Sequence, residues 1–171
     1  MKKEFTKYIK SLDEKGLYQE LEKLYRKIPD VAKYYDMELN SNSEKIVANY
    51  KKSLKAEYFP SRGYGKARSA ASRKIVLDFK KISDNQVDLI DLWLYRTEMM
   101  IKYTMSYGDI SEAFYNSLAT GFEAACELIQ QKQLEEHYLI YCKELIAPLA
   151  DIGWGVYDDC YTDYKSYFGL D

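Results

Sequence analysis

The residues best suited to chemistry lie in one basic window. From Tyr58 to Lys81 the chain reads YFPSRGYGKARSAASRKIVLDFKK, with seven Lys/Arg residues against one acid, Asp78. Gly63 and Gly65 stand before Lys66, but the spacing is not that of a phosphate-binding P-loop, and the hydroxyl that would hold magnesium is missing. The two glycines can turn backbone N–H groups outward ahead of a helix N-terminus, where free donors and the helix dipole favour an anion. Arg62, Lys66, Arg68, Arg73 and Lys74 are therefore the anion-binding candidates. At about 100° per residue, Lys66, Arg73 and Lys80 align, with Lys74 and Lys81 beside them and Ala67, Ala71, Ile75 and Phe79 opposite. Tyr58, Phe59 and Tyr64 lie close by, so this face suits nucleic-acid phosphates and stacked bases. The competing reading is an ordinary solvated Lys/Arg surface.

A second candidate is the acidic, aromatic segment 151–163. Asp159 and Asp163 are one helical turn apart, close enough to share a hard divalent cation, with Asp151 and Asp158 as possible neighbours. The spacing matches no defined metal loop, and acids at a helix start also satisfy the helix dipole. Trp154, between Gly153 and Gly155, reads as an aromatic anchor whose flanking glycines permit close packing. His137 is the one histidine, so every nucleophile–base pair would have to share it, and no partner for it is evident. Cys126, Cys142 and Cys160 form an odd, widely spaced set, which favours buried reduced thiols over disulfides or zinc. These residues assign no catalytic group and no cofactor.

The elements that must carry these candidates are helical. The chain has 171 residues, 47% of them hydrophobic and 30% charged, with eight Gly and three Pro, a composition poor in turn material. The N-terminus is charged throughout and no run approaches the ~20 apolar residues of a membrane span, so a cytoplasmic protein without a membrane partner is expected. Charge is divided along the chain: residues 1–81 hold 20 Lys/Arg against 11 Asp/Glu (+9), and residues 82–171 hold 5 against 16 (−11). Such a division fits either two partner surfaces or two halves that neutralise each other.

Leu17, Leu21, Leu24, Tyr25 and Ile28 have the spacing of one buried helical face, behind a capping box at Ser11 to Glu14. Pro29 ends that helix or opens the next, which runs to about Leu39, and Ser43 is placed to cap a helix that Pro60 stops. A basic helix is predicted over 66–81, with Ser83 and Asp84 as the following break and cap. Residues 86–106 are apolar nearly all round and predict a central helix buried on several sides. Further helices follow from Phe114 to about Lys132 and from Leu134 to Pro148, and a last one carries Tyr157, Tyr161, Tyr164 and Phe168 on its face. The expected fold is all-α, a single domain over 1–171 with eight or nine helices bundled around 86–106. The alternative is a short α-solenoid-like array of helix pairs.

Four segments carry a family resemblance: Tyr58-Phe59-Pro60, Asp78-Phe79-Lys80-Lys81, Tyr107 to Leu118, and Gly153 to Asp159. In this order they resemble a family of small all-helical bacterial proteins known as a domain of unknown function. The resemblance implies an all-helical fold and a bacterial origin, and brings no activity, cofactor or catalytic residue with it.

The functional reading is a non-catalytic cytoplasmic helical interaction module, with a protein partner or self-association. The alternative is a nucleic-acid or other polyanion binder using 62–81. A third reading is an enzyme or metal-binding protein using 151–163.

Overall fold

The apolar run after Asn85 sets the architecture. In the computed structural model, which describes residues 1–39 and 43–170, it forms α6 (Gln86–Tyr107), and both faces of that helix are covered. Leu89, Ile90, Leu92, Trp93, Leu94, Met99, Met100 and Ile101 are all buried. The Asn85 side chain caps the helix, accepting from the N–H groups of Val87 at 3.0 Å and Asp88 at 3.4 Å. Ser83 and Asp84 were the expected caps; instead the Ser83 hydroxyl accepts from the Asn85 N–H at 3.1 Å and shapes the turn before it.

The other elements are α1 (Lys2–Ser11), α2 (Glu14–Lys27), α3 (Pro29–Leu39), α4 (Ser43–Tyr58), α5 (Ser69–Lys80), α7 (Glu112–Gln131), α8 (Glu135–Ile146) and α9 (Val156–Phe168). A 3-10 turn, Ala147–Asp151, takes in Pro148. The described residues thus form nine α-helices and no strand. Helices α4, α5, α7 and α8 pack directly on α6, and α9 packs on α7 and α8. A shared central helix makes this an all-α bundle, not an array of helix pairs in which each repeat meets only its neighbours. Among the described residues no helix is long and apolar enough to cross a membrane.

Helices α1 and α2 depart from expectation. Neither has a buried residue: Leu21, Tyr25 and Ile28 are exposed, and Leu17 and Leu24 are half-buried. The amphipathic spacing is real, yet α2 packs on α3 and the bundle does not reach over it. The α2 cap is Asp13, whose carboxylate accepts from the Gly16 N–H at 2.8 Å, not the capping box read at Ser11. Ser43, the proposed cap, is the first residue of α4; its side chain and residues 40–42 fall outside the described residues.

The basic helix starts three residues later than predicted. Ala67 takes a left-handed φ of 47°, and its N–H donates to the Glu57 carbonyl at 3.1 Å, so Lys66 and Ala67 belong to the loop. That loop lies flat on the last turn of α4. A Cβ on Gly65 would stand 1.9 Å from the Tyr58 carbonyl oxygen, and the Gly65 carbonyl accepts from the Tyr103 hydroxyl at 3.2 Å.

Candidate functional site

The loop folding just described fixes the basic residues. The Glu57 carboxylate accepts from the Arg68 N–H at 3.0 Å and from its Nε and Nη2, each at 2.9 Å. This pairing holds the Glu57 carboxyl below the usual carboxylate range. The N–H groups of Ala67 and Arg68 are therefore occupied by Glu57, and the glycine loop presents neither of them to an anion. Arg62 and Lys66 are exposed on it, away from the groove described next.

Between α5 and the start of α7 runs an open groove of about 750 Å³, lined among others by Arg68, Ser69, Arg73, Lys74, Lys81 and Ser117. Three of the five anion-binding candidates, Arg68, Arg73 and Lys74, thus share one wall. Lys74 and Lys81 both pair with Asp78, Lys81 at 2.7 Å, and hold its carboxyl below the ordinary value. Arg73 is exposed and has no ion-pair partner among the described residues.

Beneath the groove lies a residue that the sequence reading passed over. Arg96 of α6 is fully buried, and its guanidinium bridges α5 and α7. Nε donates to Ser72 Oγ at 2.9 Å, Nη1 to the Ser117 carbonyl at 2.9 Å, and Nη2 to the Ser69 carbonyl at 3.2 Å and to Ser117 Oγ at 2.7 Å. Buried Tyr58 joins through its hydroxyl, 2.6 Å from Ser72 Oγ. The Trp93 ring lies 5.8 Å from the guanidinium carbon. Gly121 admits the group on the α7 side, because a Cβ there would stand 2.4 Å from Nη1. Among the described residues every oxygen that accepts a hydrogen bond from Arg96 belongs to a serine. Burial lowers the guanidinium pKa and the Arg73 charge adds to that, against an opposing contribution from Tyr58. The signal was present in the sequence: an arginine in the middle of a helix predicted to be buried all round.

The acidic candidates meet a different surface. Asp159 and Asp163 of α9 share a shallow groove of about 370 Å³ with Asn116, Thr120 and Glu123 of α7. Burial, then Glu123 and Asp159, push the Asp163 carboxyl up to about 6. Among the described residues no three His, Cys, Asp or Glu side chains come together as a metal-binding group. Trp154 is 54% exposed with a left-handed φ of 69°, and stacks on Tyr115 at 6.1 Å. Its neighbours Gly153 and Gly155 have open space where a Cβ would lie, so close packing is not their role. His137 is exposed against Tyr138. The three cysteines are free and buried where α7, α8 and α9 meet. A hydrogen bond to Cys142 and burial raise the Cys126 thiol, and burial pushes Cys160 up to about 12, which keeps both protonated.

The opposite charges of the two halves are not joined by a network. Among the described residues Lys51–Asp91, at 3.9 Å, is the ion pair that links them, and the others join neighbours within a half.

A family profile described as a family of unknown function, DUF6155, matches residues 1–149. The chain belongs to this family. The match takes in α1 to α8, and with them Arg96 and the whole α5–α7 groove, and it stops before the Gly153 to Asp159 segment and α9. No curated protein and no solved structure matches the chain.

Proposed function

We propose that this DUF6155 chain is a non-catalytic helical interaction module, whose N-terminal helices α1 and α2 dock on a second copy of the chain. The observation that carries this reading is the apolar face of the two helices, which α3 covers only in part. On α2, Leu17, Tyr18, Leu21, Leu24 and Tyr25 fall within an arc of about 120° at 3.6 residues per turn, Ile28 follows at the C-cap, and none is buried. On α1, Phe5, Tyr8 and Ile9 do the same. From their fractional exposures, Phe5, Tyr8, Tyr18, Leu21, Tyr25 and Ile28 leave roughly 600 Å² of side chain open, most of it aromatic. A stable complex buries about 800 Å² per partner, so this face is a large part of one interface.

Charge selects the occupant. Residues 1–28 hold eight Lys/Arg against five Asp/Glu, whereas residues 135–163 hold seven Asp/Glu against one Lys. The α8–α9 surface also exposes Ile140, Tyr141 and Tyr161, and has an apolar groove of about 600 Å³ at Leu139, Ile140, Ala147, Tyr164 and Leu170. A basic apolar face and an acidic apolar face on one chain are complementary between copies.

Light scattering coupled to size exclusion tests this. The wild type should be a concentration-dependent dimer, and Leu21→Glu combined with Ile28→Glu should be a monomer with an unchanged melting temperature. Ile140→Glu should also dissociate it. A wild type that stays monomeric at every concentration sinks the reading. A dimer insensitive to Ile140→Glu places the partner face elsewhere.

A further inference from the structure

The geometry points to a phosphate-binding site in the α5–α7 groove: a tetrahedral oxyanion seated between the α5 N-terminus and Ser117, and clamped by Arg73. This goes beyond the docking of α1 and α2 and does not depend on it.

The first argument is charge. A guanidinium stays protonated in proteins, so Arg96 puts a full positive charge at zero exposure beneath the groove. Buried charges are normally met by an opposite charge. Here the hydrogen bonds run to Ser69, Ser72 and Ser117 oxygens, all neutral, and Arg73 on the groove wall adds a second cation. Lys74 and Lys81 share the single carboxylate of Asp78, which leaves a further positive excess along the same wall. An anion in the groove would supply the missing counter-charge.

The second argument is the supply of donors. Ser117 Oγ accepts from Arg96, and its own proton has no acceptor among the described residues. Ser117 lines the groove, so an O–H polarised by the buried charge is available to an incoming oxygen. The Ser69 hydroxyl, also on the lining, has no partner among the described residues. Arg68 stands at the N-cap of α5 and its side chain caps nothing, so the first-turn N–H groups at Ser69 and Ala70 lack a side-chain acceptor. Hydroxyls, helix N–H groups and a free guanidinium are the donors that a phosphate takes. The lining also includes Leu77 and Ala113, and the groove is much larger than one phosphate, which leaves room for an organic group carrying it.

The test is isothermal titration of the full chain with pyrophosphate, inorganic phosphate and phenyl phosphate, alongside a melt of each variant. Pyrophosphate should bind at millimolar concentration or below. Arg73→Ala, at an exposed side chain without an ion pair, should weaken it about tenfold, and Ser117→Ala about fivefold. Arg62→Ala, outside the groove, should stay within about twofold. Phenyl phosphate binding tighter than inorganic phosphate assigns the site to a carried phosphate, and the reverse order to the free anion. No binding of any of the three overturns the proposal. So does equal weakening by Arg62→Ala and Arg73→Ala, or an affinity unmoved by Ser117→Ala, because either result means diffuse attraction to a basic surface. A single-stranded oligonucleotide bound in place of all three probes would show such a surface directly.

Discussion

Arg96→Ala should destabilise the fold by about 3–5 kcal/mol, and Arg96→Met by much less. The alanine variant vacates roughly 100 Å³ between α5, α6 and α7, which at ~24 cal/mol per Å³ costs about 2.4 kcal/mol. It also removes four hydrogen bonds, to Ser72 Oγ, the Ser69 carbonyl, and the Ser117 carbonyl and hydroxyl. At a net value of about 1 kcal/mol each they would add about 4 kcal/mol. Two facts reduce that sum. Ser72 keeps Tyr58, and the Ser69 carbonyl still accepts from Ser72 at 3.0 Å. The fold is also relieved of holding a charge out of water without a carboxylate. Methionine refills most of the volume and gives the same electrostatic relief, so its cost should fall to about 1–2 kcal/mol. Urea unfolding separates the two: with a slope of about 2 kcal/mol per molar, the midpoint drops by about 1.5–2.5 M for alanine and by less than about 1 M for methionine. An alanine variant within about 1 kcal/mol of wild type would refute the role of Arg96 as the tie between α5 and α7. A methionine variant as unstable as the alanine one would refute the claim that the charge itself is unfavourable.

Gly65→Ala should cost about 1–3 kcal/mol, because its Cβ would meet the Tyr58 carbonyl at 1.9 Å and the loop must lift away from α4; a thermal melt identical to wild type would show that the loop does not lie there. Asp163→Asn should raise the melting temperature at pH 7–8 and leave it unchanged near pH 4. The folded-state pKa of about 6 lies above the ordinary 3.8, so the unfolded chain ionises first and stability is lost as pH rises from about 4 to about 6. A difference that persists at pH 4 would trace the effect to packing instead.

The periodicity of apolar residues determined the helices, their order and the centrality of α6, because a helix apolar on all sides has to be surrounded. Two breaks were legible for the same local reasons: Pro29 opens α3, and Pro148 lies in the turn after α8. Periodicity reports that a face is apolar, and is silent on what covers it. The α2 face from Leu17 to Ile28 therefore looked the same in the sequence as the buried face of α7, and the tertiary arrangement alone left it open. The basic window shows the same division of labour. Seven cations between Tyr58 and Lys81 are a property of the sequence. Their sorting was decided partly by local spacing, through Asp78 on the same helix, and partly by residues brought in from other helices. Glu57 takes Arg68, Asp78 takes Lys74 and Lys81, and Arg73 is left free over a guanidinium that arrives from position 96. Helical spacing fixes neighbours three and four residues apart, whereas a charge brought in from another helix depends on the packing of the whole bundle.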